Sequence, residues 1–165
     1  MESTFNMDLS ENVAYDIPSF PSYIRKGFLS LYPNFTANSH WHTDLEFIIL
    51  LNGTMSYNIN GEIITLHSGN GVLINSRHLH YGFSSTQEEC EFICILLHPS
   101  LLSGNAFFYH NYVESFLFRT DTPYINLNQE IIWQSQIISI LTEMYNKKSC
   151  ADNTFTIIEG LTRIL

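Results

Sequence analysis

Positive charge is scarce in this chain: seven Lys and Arg stand against sixteen Asp and Glu in 165 residues, a formal net charge of −9. Such a balance repels nucleic acid phosphates and does not favour anionic membrane surfaces, so this stretch alone is not expected to bind DNA or a membrane. No apolar run approaches the roughly 20 residues that span a bilayer, and the opening Met1-Glu2-Ser3-Thr4 lacks the basic flank and apolar core of a secretory signal. Cysteine is sparse and odd in number: Cys90, Cys94 and Cys150. Four residues of extended chain put Cys90 and Cys94 roughly 13 Å apart, too far for a disulfide. Reduced thiols used as packing residues, in a cytoplasmic protein, are the expectation. Internal repeats and low-complexity tracts are also missing.

What is present suits one folded unit. The chain is 45% hydrophobic and 14% aromatic, enough for a sizeable core with a helical appendage. Residues 1–27, with Pro18 and Pro21 and no sustained periodicity, read as an irregular segment laid over the surface. Residues 28–100, from Phe28-Leu29-Ser30-Leu31-Tyr32 onward, read as short β-rich runs separated by Asn, Gly and Ser, the pattern of an antiparallel barrel or sandwich. A two-residue turn at Asn60-Gly61 predicts a hairpin pairing Ile59 with Glu62, Tyr57 with Ile64 and Met55 with Leu66. That register puts the apolar side chains of both strands on one face. Strands are further predicted at Val72–Ile74 and at Glu91–Leu97, the latter ended by Pro99.

Residues 101–165 pass through an aromatic stretch into two helix-like segments. Trp133, Ile137, Ile140 and Met144 recur at helical spacing, flanked by a second stripe of Ile131, Ile138, Leu141 and Tyr145. Asn128 is the expected N-cap, with Lys147 and Lys148 favouring the C-terminal end. The second helix carries Phe155, Ile158, Leu161 and Ile164 and is capped by Asp152, Asn153 or Thr154. No closing Gly, Pro or polar run ends it, so the chain is expected to be a fragment of a longer protein.

His40, His42 and Glu46 share strand parity, and His80 follows after the hairpin. Two imidazoles, a carboxylate and a third imidazole suit a divalent transition metal such as Zn, Mn, Fe or Ni. The alternatives are that His40, His42, Glu46, His80 and Tyr57 line a small-molecule pocket needing no cofactor, or that they form a satisfied interior network. Trp41 has the opposite parity and is expected to pack away from the imidazoles. His78 is assigned to a solvent-facing turn, and His67, His98 and His110 to structural or surface roles.

The pattern His40-x-His42, three residues, Glu46, six residues, Gly53 resembles the first motif of the cupin superfamily, and the segment ending in His80 resembles the second. There a cupin carries Pro-x-Gly-x-x-His; here Asn75 and Arg77 stand in place of the proline and glycine. Together with the Asn60-Gly61 hairpin and Leu97-His98-Pro99, the order of motifs over residues 28–165 is similar to the sensor half of AraC-type transcription regulators. The resemblance implies a cupin-like antiparallel β-barrel followed by two α-helices. It also implies a small polar effector, such as a carbohydrate, bound in the barrel, and a homodimer formed through Trp133, Ile137, Ile140 and Met144. DNA would be contacted only through a C-terminal helix-turn-helix domain outside this sequence. The alternative is a metal-dependent cupin enzyme, an isomerase or dioxygenase; no separate general base or nucleophile stands out, so catalysis is not the expectation.

Overall fold

The structure is a computed structural model that describes residues 4–119, 121–150 and 152–165. The first three residues of the segment read as irregular therefore lie outside the described residues. Among the described residues, ten strands and two long helices carry the architecture. β1 (Thr4–Phe5) and β2 (Glu11–Asn12) make a small hairpin. β3 (Ser22–Phe28), β4 (Leu45–Asn52), β7 (Gly71–Ile74), β9 (Glu91–Leu97) and β10 (Tyr124–Leu127) form one antiparallel sheet in the order β10-β7-β4-β9-β3. β5 (Thr54–Ile59), β6 (Glu62–His67) and β8 (His80–Phe83) form a second, in the order β6-β5-β8.

β4 shows why the molecule has layers. It is apolar at nearly every position and sits mid-sheet between β7 and β9, so both its faces are covered. Leu45, Phe47 and Ile49 point into a core shared with Ile93, Ile95 and the helices. Ile48 and Leu50 point the other way, into a core shared with Met55, Tyr57, Ile59 and Leu66 of the second sheet. The five-stranded sheet is thus sandwiched between a helical layer and the three-stranded sheet. Tyr57 pairs with Ile64 and Ile59 with Glu62, as the turn predicts, and both Asn60 (φ 52°) and Gly61 (φ 92°) hold the left-handed backbone that such a turn needs.

Several expectations are corrected. β3 falls almost wholly in the segment read as irregular. It is an edge strand whose exposed Arg25 and Lys26 break the apolar alternation, with Lys26 paired to Glu91 across the strands. Within Phe28–Tyr32 the chain makes a 3-10 turn at Leu29–Leu31 rather than continuing as strand, with Leu29 driven into the core. The aromatic stretch is helical: α1 (Ala106–Phe108), a π-helical turn at Tyr109–Val113 and α2 (Glu114–Leu117) follow one another. β10 then adds to the sheet beside β7.

α3 (Ile132–Lys147) begins after Ile131, and Asn128 does not cap it. The Asn128 side chain instead accepts from the Glu130 amide at 2.9 Å, closing the preceding turn. α4 (Asn153–Ile164) begins after Asp152 with no capping side chain, and its buried stripe is Ile157, Gly160 and Leu161. Phe155, placed on that stripe from spacing, is 71% exposed. α4 lies close on α3: a Cβ on Gly160 would stand 2.3 Å from Met144 Cε and 2.9 Å from Ile140 Cγ2. Among the described residues, no helix is long and apolar enough to cross a membrane.

Candidate metal centre and ligand cavity

His40, His42 and Glu46 do not share one regular strand. His40 lies in an isolated bridge to His80, each backbone amide donating to the other's carbonyl at 3.1 and 2.8 Å, and β4 starts only at Leu45. The pairing of His40 with His80 fastens the segment before β4 to the second sheet, which the linear spacing did not reveal. Gly53 closes the first motif with φ 89°, where a Cβ would meet the Glu89 carbonyl oxygen at 2.5 Å.

The four side chains converge. One ligand atom from each of His40, His42, Glu46 and His80 lies within 4.8 Å of all the others. His42 Nε2 and His80 Nε2 approach the same carboxylate oxygen, Glu46 Oε2, at 3.0 and 2.7 Å, while the Tyr57 hydroxyl donates to Oε1. His42, Glu46 and His80 are buried, at 3%, 3% and 1% exposure. On each ring the other nitrogen faces a carbonyl two residues away: His40 Nδ1 to Asn38 at 2.7 Å, His42 Nδ1 to Asp44 at 3.2 Å, His80 Nδ1 to His78 at 2.7 Å. An Nδ1–H donated to a carbonyl fixes the ring and leaves Nε2 as the ligand atom.

Donor counting then tests the metal. His40 Nε2 also faces an acceptor, Glu11 Oε2 at 3.3 Å. All three rings therefore sit between two acceptors. In the metal-free protein His42 and His80 can donate Nε2–H to Glu46, and the same Nε2 atoms, deprotonated, are placed to hold a cation. Burial pulls His40 below its ordinary value, and the neighbouring His80 adds to that, so a doubly protonated His40 is disfavoured. The residues present fit a divalent transition metal in number and kind; ligand atoms about 2 Å from one ion lie at most about 4 Å apart, so the most widely separated of these atoms would have to draw together by about 1 Å or somewhat more. Without a metal, burial alone would push Glu46 up, but the charge of His80 and the hydrogen bonds from His42 and His80 hold it well below its ordinary value. Burial opposes charge on His42, yet its bond to Glu46 leaves it raised. Tyr57 is pushed well up by burial and by the Glu46 charge, so its hydroxyl stays protonated and donates.

A cavity of about 220 Å³ opens onto this cluster between the two sheets. His40, Glu46 and Tyr57 face it, whereas His42 and His80 are not on its wall. Sequence parity anticipated a polar interior face; the wall is mixed, with Ile48, Met55, Phe92 and Leu96 beside Glu11, Tyr23, Arg25, Tyr32 and Asn38. Trp41 is held on the far side by its indole N–H to the Asp8 carbonyl, 3.0 Å. His78 is half-buried and lies 2.7 Å from the Asn60 side chain. Of the four α3 positions assigned to a dimer contact, Trp133 is 50% exposed and Ile137 half-buried, while Ile140 and Met144 are buried against α4.

Two residues of the site lie in no motif, and two more stand where the second motif departs from its usual residues. Glu11 and Phe5 reach His40 from the N-terminal hairpin, Phe5 with ring centroids 5.6 Å apart. Asn75 occupies the place of the cupin proline. Its side chain donates to the Phe116 and Thr122 carbonyls at 3.0 and 3.3 Å and accepts from the Ser76 amide at 2.8 Å. Arg77, in the place of the glycine, takes φ 64° and donates its amide to the His42 carbonyl at 2.7 Å. The backbone that presents His80 is thus kept despite both replacements.

Residues 27–96 match the cupin domain family, a span that holds all four candidate ligands and Tyr57. The antiparallel two-sheet architecture with C-terminal helices is a cupin fold, as expected. A curated relative, the HTH-type transcriptional regulator YdeC of Bacillus subtilis (strain 168), is 30% identical over 105 residues, 64% of this chain. The chain matches 36% of that relative's length. Among solved structures, a Cupin 2 conserved barrel protein of Salinispora arenicola shares 16% identity over 52% of this chain and 71% of its own, TM-score 0.43. Salicylate 1,2-dioxygenase of Pseudaminobacter salicylatoxidans shares 21% over 46% of this chain and 21% of its own, TM-score 0.41.

Proposed function

We propose that this cupin domain is the effector-sensing part of an AraC-type transcription regulator, holding a divalent transition metal at His40, His42, Glu46 and His80 and binding a small molecule in the adjoining cavity. The observation that carries it is the placing of three imidazoles, each fixed through Nδ1, around one buried carboxylate beside a cavity whose wall includes His40 and Glu46. The 30% identity to an HTH-type regulator and the acidic charge support a sensing role in which DNA is contacted by a part of the protein outside this sequence. The exposed start of α3, with Ile132 and Trp133 uncovered, is the surface assigned to a homodimer.

The bound metal would supply a Lewis-acidic position for an oxygen of the effector. Glu46 and Tyr57 hold the inner end in one arrangement, and the N-terminal hairpin reaches the same place through Glu11 and Phe5. A ligand displaces the equilibrium between two arrangements only by its differential affinity for them; contacts with this hairpin are where such a difference would arise. Protein purified without chelators or a metal-affinity tag is expected to hold close to one metal per chain, and His42→Ala to lose it. Metal content near zero, or unchanged by His42→Ala, rejects the metal centre.

The His–carboxylate set also favours a second reading, a cupin dioxygenase or isomerase, because it contains the two-His, one-carboxylate face of non-haem iron sites. Oxygen consumption by the iron-loaded chain with a substrate would support it, while ligand-induced stabilisation without turnover supports sensing.

A further inference from the structure

We propose that Glu11 is a fifth ligand to the metal held by His40, His42, Glu46 and His80, so that the ion itself fastens the N-terminal hairpin; this rests on the metal centre proposed above. Backbone contacts place the hairpin first. The Glu11 amide donates to the Trp41 carbonyl at 2.9 Å and the Trp41 amide to the Leu9 carbonyl at 3.0 Å, which sets Glu11 beside the segment carrying His40 and His42. Phe5 and Glu11 are directly paired across β1 and β2, and residues paired in register point to one side of a hairpin. Both side chains accordingly reach His40, the Phe5 ring edge-on with centroids 5.6 Å apart and Glu11 Oε2 at 3.3 Å from Nε2.

Charge and spacing then point to ligation. The Glu11 side chain is 10% exposed, and among the described residues its ion-pair partner is the His40 ring. A carboxylate so covered is costly unless a positive charge answers it, and a neutral imidazole supplies none. Three neutral imidazoles and Glu46 leave a divalent ion with one uncompensated positive charge, which Glu11 would cancel. Neighbouring ligands about 2 Å from one ion stand roughly 3–3.4 Å apart, and the separation of Glu11 Oε2 from His40 Nε2 falls in that range. Glu11 lies outside the mutual cluster of four and meets it on the His40 side, so it would close on the ion through its own side-chain torsions. The other acids near it in sequence are engaged elsewhere, Asp8 by Ser10 in the hairpin turn and Asp16 by Arg25. Glu11, His40 and Glu46 share the cavity wall, which puts Glu11 where a small molecule would arrive. An effector oxygen would therefore exchange with Glu11 for its place on the metal.

A purely hydrogen-bonding role for Glu11 has the opposite consequence. If Glu11 only accepts the Nε2 proton of His40, zinc displaces that proton and frees the hairpin; if Glu11 is a ligand, zinc clamps it. Amide hydrogen exchange of peptides covering residues 4–16, read by mass spectrometry with and without zinc chloride, separates the two. Zinc is expected to slow exchange there about fivefold or more in the unaltered chain and not in Glu11→Gln, with peptides from β4 as the control that the variant is folded. The zinc affinity of Glu11→Gln, from competition with a chromogenic chelator, should fall about tenfold or more. Zinc bound by the unaltered chain with hairpin exchange unchanged or faster, or bound as tightly by Glu11→Gln, overturns the fifth ligand and leaves the metal centre standing. No zinc bound by the unaltered chain overturns the metal centre and this proposal with it.

Discussion

Glu46 holds the site together in the metal-free protein, and Glu46→Gln measures by how much. The carboxylate receives two imidazoles on Oε2 and the Tyr57 hydroxyl on Oε1 at 3% exposure. Breaking a buried charged pair costs about 3–5 kcal/mol. The amide keeps the shape and can still accept from the imidazoles while donating to Tyr57, so the loss belongs near the low end, about 3 kcal/mol. For a chain of this size that is a fall of about 6–12 °C in Tm. The pH dependence is more specific. His42 is raised above 6.5 in the folded state, so its stabilisation is complete below pH 6.5 and is lost as pH rises through the folded value. His40 is lowered below 6.5, so the folded state loses stability as pH falls from 6.5 through its folded value. With chelator present, these two groups together place a stability maximum near pH 6.5. Glu46→Gln removes the largest of the influences that raise His42, leaving only the weaker ones of Asp44 and Glu11, so the variant should lose most of the alkaline decline and keep the acid one. Urea unfolding from pH 5 to 9 in chelator reads both quantities. A loss below about 1 kcal/mol, or an alkaline limb undiminished in the variant, refutes the account of Glu46 as the charge partner.

Other perturbations test separate parts. Arg77→Val should destabilise by about 1–2 kcal/mol because a branched side chain is forced to φ 64°, whereas Arg77→Gly should be tolerated; equal urea midpoints for the two would contradict the backbone argument. Asn75→Ala strips bonds to two carbonyls and one amide and should cost about 2–3 kcal/mol, visible as a lower urea midpoint with an unchanged slope. Gly160→Ala should lose about 1–2 kcal/mol despite alanine's better helix propensity, and Met144→Ala in the same chain should recover part of it; additivity of the two changes would show that they do not meet. Trp133→Glu should weaken a dimer in sedimentation without lowering Tm, and a wild-type monomer at micromolar concentration would remove the dimer from the proposal.

The hairpin, β7 and β9 were legible because each depends on local chemistry, a turn dipeptide or a run of branched residues; the ligand residues do converge, but through the bridge of His40 to His80 and not through parity on one strand. What was hidden depended on partners distant in sequence. β3 carries Arg25 and Lys26 where an isolated strand would want alternation, and only its edge position beside β9 makes that tolerable. The α4 stripe misled for a related reason. Phe155 has the stronger apolar side chain, but Gly160 lets α4 approach Met144 and Ile140, and that approach selects Ile157 and Leu161 as the buried face.

The second motif carries the same point to the site. Proline and glycine stiffen and bend a turn through their own covalent structure, so their replacement by Asn75 and Arg77 looks like a loss of the turn. Here the turn is held instead by contacts from elsewhere: Asn75 is bonded to the helical segment and to Thr122, and Arg77 is pinned through its amide to His42. The placing of His80 therefore depends on the segment after β9, which a local turn would not require. Because the acceptors are the main-chain carbonyls of Phe116 and Thr122, Asn75→Ala is the change that cuts this tie; it should weaken metal affinity through the turn that follows it, and that dependence separates this site from one whose second motif stands on proline and glycine alone.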